Sequence, residues 1–563
     1  MRRRSHVLAE SSPVARLWAL RILVELKRGE FTLRSFGQQG LLRDLGLGEL
    51  SEDGDYKLGL KNILVRLREL HQQAEQDSNK ANVPKVLADN VAHLAVHAGL
   101  NDTDCRLLEF AVLMHGDPML HEAAESLENL STTKAHKALA TILGLPEPDI
   151  RASLGRDGML AHSGLLTLDH NLCDLTGKLD LISSEFSTHA MLSDMQPADL
   201  LRGVVSPASP AELALDDYPH LAPSLDILIP YLRHAHETGR KGVNVFLYGP
   251  PGTGKTQLAK VLATHLGCDL FEVASEDKDG DVQNGGHKRL NALRAAQCFF
   301  GKGRSLILFD EVEDVFTGSI FCPSTAQENK GWMNRMLESN GAPTLWLSNS
   351  IDGLDPAFVR RFDMIVEVPV PPRGQRERSN RAICGDVVDD STLARISDCE
   401  MIAPAVVARA ANVVRAIGEH MDRQQSSAAA ERLIDNILEA QGHPRLHANE
   451  ANRLPCTYDP AFINADADLV GIAGGLAASR SGRLCLYGPP GTGKTAYGRW
   501  LAQQLGMPLL VKRASDLLSM WVGQAEKNIA AAFRSAERDG AILLIDEVDS
   551  FLQDRHGAQR SWE

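Results

Sequence analysis

The stretch Leu247-Tyr248-Gly249-Pro250-Pro251-Gly252-Thr253-Gly254-Lys255-Thr256 decides how this chain folds, because it occurs twice. The second occurrence, Leu486-Tyr487-Gly488-Pro489-Pro490-Gly491-Thr492-Gly493-Lys494-Thr495, lies 239 residues further on. Both fit G-x-x-x-x-G-K-[ST]. In that pattern the glycines let the backbone wrap tightly, so that its N–H groups point at phosphate oxygens. The lysine reaches the β- and γ-phosphates, and the threonine hydroxyl can ligate Mg²⁺. The strand-like residues 243–248, apolar but for Asn244, precede the first loop, and Leu258, Val261, Leu262 and Leu266 follow it at helical spacing. Strand, loop and helix are the context the motif requires. One match by chance in a chain this long is expected on the order of once in fifty. Two matches in one context exclude an ordinary glycine-rich turn.

A second pair of stretches keeps the same order. Residues 306–316 read LILFDEVEDVF and residues 542–552 read ILLIDEVDSFL. Asp310 follows Lys255 by 55 residues, and Asp546 follows Lys494 by 52. Each aspartate ends an apolar run that suits a buried parallel strand. A carboxylate at the carboxyl end of a central strand lies beside the phosphate loop, where open α/β sheets bind ligands. Asp310 and Asp546 are therefore expected on Mg²⁺ with Thr256 and Thr495. Glu311 and Glu547 are expected to polarise the attacking water. The chain thus reads as two copies of one phosphate-loop, nucleotide-binding α/β domain, each a parallel sheet flanked by helices, behind a helical N-terminal region.

Composition agrees with a globular chain of several domains. It has 563 residues, 44% apolar and 23% charged, and at about 100–200 residues per domain this suggests about three to five domains. The net charge of −14 disfavours a whole-molecule nucleic-acid binder. Nine scattered cysteines make no C-x-x-C, which fits free thiols in a reducing compartment and no zinc framework. No apolar run approaches the ~18 residues a membrane span needs. Met1-Arg2-Arg3-Arg4 is followed by Glu10 without an apolar core, so no export signal is read and a cytoplasmic protein is expected.

The expected organisation is a helical region over 1–100, a second helical domain over 101–210, a first large domain around the first phosphate loop over 211–372 and a helical stretch over 373–441. A linker over 442–460 leads to the second copy, 461–563. Ser12-Pro13 is a helix start, with Val14, Leu17, Trp18, Ile22 and Leu26 at helical spacing and Arg21 interrupting them. The stretch 149–169 reads either as a helix with a small hairpin, a winged-helix ending, or as part of a plain helical domain. Ser206-Pro207-Ala208-Ser209-Pro210 is a linker candidate.

Together these motifs resemble the AAA+ ATPases, in particular bacterial-type members of the AAA clade with tandem ATPase domains. The resemblance covers about residues 212–563. It implies that Asn349, at the end of Thr344-Leu345-Trp346-Leu347-Ser348, orients the hydrolytic water. It also implies that Arg360 and Arg361, within Leu354-Asp355-Pro356-Ala357 to Phe362-Asp363, reach into a neighbouring subunit's site. The resemblance makes 211–372 and 461–563 the two ATPase domains and 373–441 the helical lid of the first, with Arg409 a candidate lid arginine. Met520-Trp521-Val522 is similar to the family's pore loop, which grips an extended polypeptide; the matching place in the first copy, Val282, carries no aromatic residue. The second copy is expected to be cut in mid-fold, because Glu563 lies only 17 residues past Asp546. The resemblance implies ATP and Mg²⁺ as cofactors, a homo-oligomeric, hexameric ring, a polypeptide client and no membrane. Two functions stand at this point: an ATP-driven protein remodeller or unfoldase, and a nucleotide-switched scaffold or loader acting on a protein assembly or DNA.

Overall fold

Ser12 starts the first helix as its side chain allows. Its Oγ accepts from the Ala15 N–H at 3.3 Å, and Pro13 takes the first helical position, where a missing N–H costs nothing. The helix Pro13–Val24 buries Val14, Leu17, Trp18 and Ile22. Trp18 meets Phe110 of the helix Asp102–Gly116 edge-on, with ring centroids 5.3 Å apart. Arg21, the polar interruption, has its own partners. Its guanidinium grips Glu75 of the helix Tyr56–Gln76 at 2.6 and 3.0 Å and donates to the Ile142 carbonyl at 2.8 Å.

This computed structural model describes residues 12–548, apart from 27–38, 48–55, 275–284, 317–323, 418–420, 447–457, 519–523 and positions 156, 302, 329, 352–353 and 444. The chain divides into two units. One holds residues 1–250 and 254–368, the other 251–253 and 369–563.

In the first unit, β1 (Leu166–Leu168) and β2 (Leu179–Leu181) form an antiparallel pair. Only β1 falls within 149–169. Its partner comes after a further short helix, Leu175–Lys178, so the stretch contains one strand rather than a closed hairpin. The linker expected at 206–210 is corrected as well. Val205–Pro207 is a strand, β3, antiparallel to β5 (Asp269–Val273). A proline fits there because β3 is the sheet's outer strand and needs to pair on one side only.

The main sheet also contains β4 (Asn244–Tyr248), β6 (Ser305–Phe309), β7 (Thr344–Ser348) and β8 (Met364–Glu367), in the order β3-β5-β6-β7-β4-β8. All pairs except β3–β5 are parallel. β6 and β7 are buried along their whole length, which explains their unbroken apolar runs. Alternate residues serve opposite faces. Phe246, Ile307, Phe309 and Trp346 join one core that runs on to Trp18 and Phe110. Val245, Leu247, Leu308 and Leu345 join a second, with Leu228 and Leu232 of the helix Ala222–Thr238 and Leu258 and Leu262 of the helix Lys255–Leu266.

The second unit begins with four helices, Arg373–Cys384, Asp390–Asp398, Pro404–Ile417 and Arg423–Ala440, around Leu393, Ile396, Val407, Val414, Ile434 and Leu438. Its later part has the helices Lys494–Leu505 and Gln524–Asp539 and a parallel pair, β9 (Leu509–Arg513) and β10 (Ile542–Asp546). The strand expected before the second loop is absent, since residues 483–487 are not in a ladder. The first sheet gives the reason. There β4 bonds only to β7 and β8, and no counterpart of either follows β10 among the described residues. No helix among the described residues is long and apolar enough to cross a membrane.

Candidate active site

The strand order places the site. β6, β7 and β4 are neighbours, and their carboxyl ends lead into Asp310, Asn349 and the Gly249–Thr256 loop. The loop needs its glycines. Gly249 has φ 156, and a Cβ there would sit 2.1 Å from the Val368 carbonyl oxygen. Gly254 has φ 91, and a Cβ would meet the Tyr218 hydroxyl at 2.9 Å.

Lys255, 7% exposed, donates through Nζ to the carbonyls of Gly249 (2.7 Å) and Pro250 (3.1 Å) and to Asn349 Oδ1 (3.1 Å). Burial pushes the ammonium's pKa down, and the carboxylates of Asp310 and Glu313 oppose that shift. Thr256 Oγ1 donates to Asp310 Oδ2 at 2.8 Å. The Glu311 N–H donates to Asp310 Oδ1 at 2.8 Å, and Glu311 itself is exposed. The structure thus brings together Lys255, Thr256, Asp310, Glu311 and Asn349. Arg360 and Arg361 are engaged differently. Arg361 pairs with Glu338 at 3.1 Å and donates to the Ala357 carbonyl, whereas Arg360 is exposed. Arg409 is exposed on the helix Pro404–Ile417. Met520, Trp521, Val522 and Val282 lie outside the described residues.

The second site repeats the local pattern. Lys494 donates to the Gly488 and Pro489 carbonyls at 2.8 Å each, and Thr495 Oγ1 to Asp546 Oδ2 at 3.0 Å. Glu547 follows Asp546 as Glu311 follows Asp310, and both glutamates have positive φ, 57 and 51.

Three residues of the first site were missed by sequence reasoning. Glu313 Oε1 accepts from the Ser348 hydroxyl at 2.9 Å and from the Asn349 N–H, so it fixes the end of β7. Tyr218, almost fully buried, donates its hydroxyl to the Gly254 carbonyl at 2.9 Å, and burial pushes its pKa up. Arg289 donates to the carbonyls of Asp310 and Glu311. A signal existed for two of them. Asp549 stands in the second copy where Glu313 stands in the first, and Tyr458 recurs 240 residues after Tyr218. Arg289 has Asn528 as its counterpart at the loop offset, so the repeat gave no signal.

Residues 245–370 and 484–562 match the family model described as ATPase family associated with various cellular activities (AAA). The chain carries the AAA ATPase domain in two segments. The first AAA segment contains β4, β6, β7 and β8, and the second contains β9 and β10. Relatives include a cell division cycle protein 48 homolog of Archaeoglobus fulgidus, 25% identical over 58% of this chain and 50% of that protein. Protein CdcH of Halobacterium salinarum is 26% identical over 55% and 47%. The ATPase family gene 2 protein homolog B of Rattus norvegicus is 27% identical over 55% and 45%. The chain spans about half the length of these relatives.

Proposed function

We propose that this chain is an ATP-hydrolysing protein remodeller that works as a ring of identical subunits, hexameric as the family resemblance implies, in the cytoplasm, on a polypeptide client. The observation that carries the reading is the bond from Thr256 Oγ1 to Asp310 Oδ2. It joins the phosphate loop to the carboxylate at the end of β6, with Asn349 on Lys255 from the strand between them. Thr256 and Asp310 present hard oxygen donors of the kind Mg²⁺ takes, so the residues fit that ion. Bound there, Mg²⁺ supplies charge neutralisation on the β- and γ-phosphates.

The chain's own residues supply the rest. Lys255 moves from loop carbonyls to phosphate oxygens, and the loop N–H groups hold the remaining charge. Asn349 orients the water. Glu311 takes a proton from it as the water oxygen bonds to the γ-phosphorus, and ADP leaves with the bridging oxygen. Arg360, exposed and next to the engaged Arg361, is the better placed of the two to act on a neighbouring subunit. Similarity to the cell division cycle protein 48 homolog favours a remodeller over a loader.

Glu311→Gln is expected to leave ATP binding intact and to lower turnover by about 100-fold or more. Mixing Glu311→Gln subunits with Arg360→Ala subunits should restore part of the activity, because mixed rings contain intact sites. Near-normal turnover by Glu311→Gln would remove Glu311 from the mechanism. Failure to rescue at every ratio would remove the shared site.

A further inference from the structure

A buried cation with no role in the mechanism above holds the Asp310–Glu311 turn. Arg289 lies on the helix Gly285–Phe300 and is 4% exposed. Its Nη1 donates to the Glu311 carbonyl at 2.8 Å, and its Nη2 donates to the Asp310 carbonyl. Its guanidinium carbon stands 4.4 Å from the centroid of the Phe309 ring. One planar group therefore grips three consecutive residues, Phe309, Asp310 and Glu311. Two carbonyl oxygens and a ring face are partners that a buried guanidinium favours.

The gripped turn is strained. Glu311 has φ 51, a left-handed conformation that a non-glycine residue keeps only where its surroundings enforce it. Arg289 reaches it from a helix that is itself anchored. Arg294, one and a half turns on, donates to the Ala161 carbonyl at 3.1 Å and lies 4.1 Å from the centroid of the Trp332 ring. The second copy is built otherwise. Its helix Gln524–Asp539 occupies the matching span, with Asn528 in the place of Arg289, and Asn528 Nδ2 donates to the Leu517 carbonyl at 3.3 Å.

We infer that Arg289 is a positioning residue for hydrolysis at the first site. Its fork holds the Asp310–Glu311 turn so that the Glu311 carboxylate stays where the water must lose its proton. It does this without touching nucleotide. The inference rests on the reading of Glu311 as the group that takes that proton. Loss of the fork lets residue 311 leave the left-handed region, while Lys255 and Thr256 keep their places. A lysine offers a point charge in place of the fork and restores only part of the hold.

The test uses the full chain carrying Lys494→Ala, so that turnover belongs to the first site. Arg289→Met is expected to lower kcat about 10- to 100-fold, with Arg289→Lys between it and the parent. KM and the Kd for a fluorescent ATP analogue should stay within about threefold. Added to Glu311→Gln, Arg289→Met should cause no further loss, since both act through one carboxylate. An unchanged kcat in both variants overturns the inference. So does a loss of affinity as large as the loss of kcat, which is the mark of a purely structural role. A thermal measurement covers the case of poor folding. Glu311→Gly removes the strain at that position, whereas in the parent Arg289→Met regains the strain energy as residue 311 relaxes, so Arg289→Met should lower Tm more in that background than alone. An equal drop in both backgrounds overturns the inference. If Glu311→Gln fails to slow the parent, the reading of Glu311 falls instead, whatever Arg289 does.

Discussion

The two phosphate loops have the same ten residues but different surroundings. In both, the lysine folds onto two loop carbonyls and the threonine bonds the aspartate. Around the first, β4 is paired on both sides, Lys255 is buried, and Gly249 packs against Val368. Around the second, residues 483–487 have no ladder, Tyr487 is 81% exposed, and a Cβ on Gly488 would meet only Thr492, at 3.7 Å. The bond pattern of the loop is local and travels with its sequence. Its burial comes from strands about a hundred residues away, and only the first copy has them among the described residues.

The largest expected break in this comparison is in nucleotide binding. Lys255→Ala should weaken binding of an ATP analogue about 100-fold. Lys494→Ala should leave the tight-site stoichiometry of this chain at one, measured by calorimetric titration. A drop from two tight sites to one on Lys494→Ala would show that the second loop binds as well as the first.

Packing should differ next. Leu308 is fully buried in β6, whereas its counterpart Leu544 in β10 is half-buried. Leu308→Ala should cost about 3 kcal/mol and Leu544→Ala about 1 kcal/mol, read from urea unfolding. Equal costs would mean that the second sheet has a core as closed as the first.

The smallest contrast concerns the two tyrosines. Tyr218 gives its hydroxyl to Gly254, while the buried Tyr458 hydroxyl has no hydrogen-bond partner among the described residues. Tyr218→Phe should cost about 1 kcal/mol, and Tyr458→Phe should change stability by less than about 0.5 kcal/mol. A matching cost at 458 would place a partner on that hydroxyl.

What the sequence made legible follows the same division. The loops, the strands leading into Asp310 and Asp546 and the helix at Ser12 are short-range patterns, and each is legible in adjacent residues, whereas the strand before Asn349 came with the family resemblance. Residues 206–210 read as a linker because their proline and serine content obeys local rules, whereas the pairing of Val205–Pro207 with β5 is long-range. The ladder lost at 483–487 is the converse case: the residues favour a strand, but a strand needs partners. Glu313 and Arg289 went unseen for a related reason. Their roles depend on which backbone carbonyls and N–H groups stand opposite them, and spacing along the chain does not encode that.

The core that runs from Trp18 through Phe110 to Phe309 and Trp346 couples the inheritance of two parts of the molecule. β3 closes one edge of the sheet, and Gly164 stands so near Asn291 that a methyl group would lie 2.2 Å from its carbonyl oxygen. Residues 1–210 therefore cannot be exchanged as a cassette while the first catalytic sheet is kept. A replacement module has to bring its own edge strand and a surface shaped to the face that carries Phe246, Phe309 and Trp346. Substitutions on the two sides of that seam are expected to change together, much as they do across the interface of an obligate dimer.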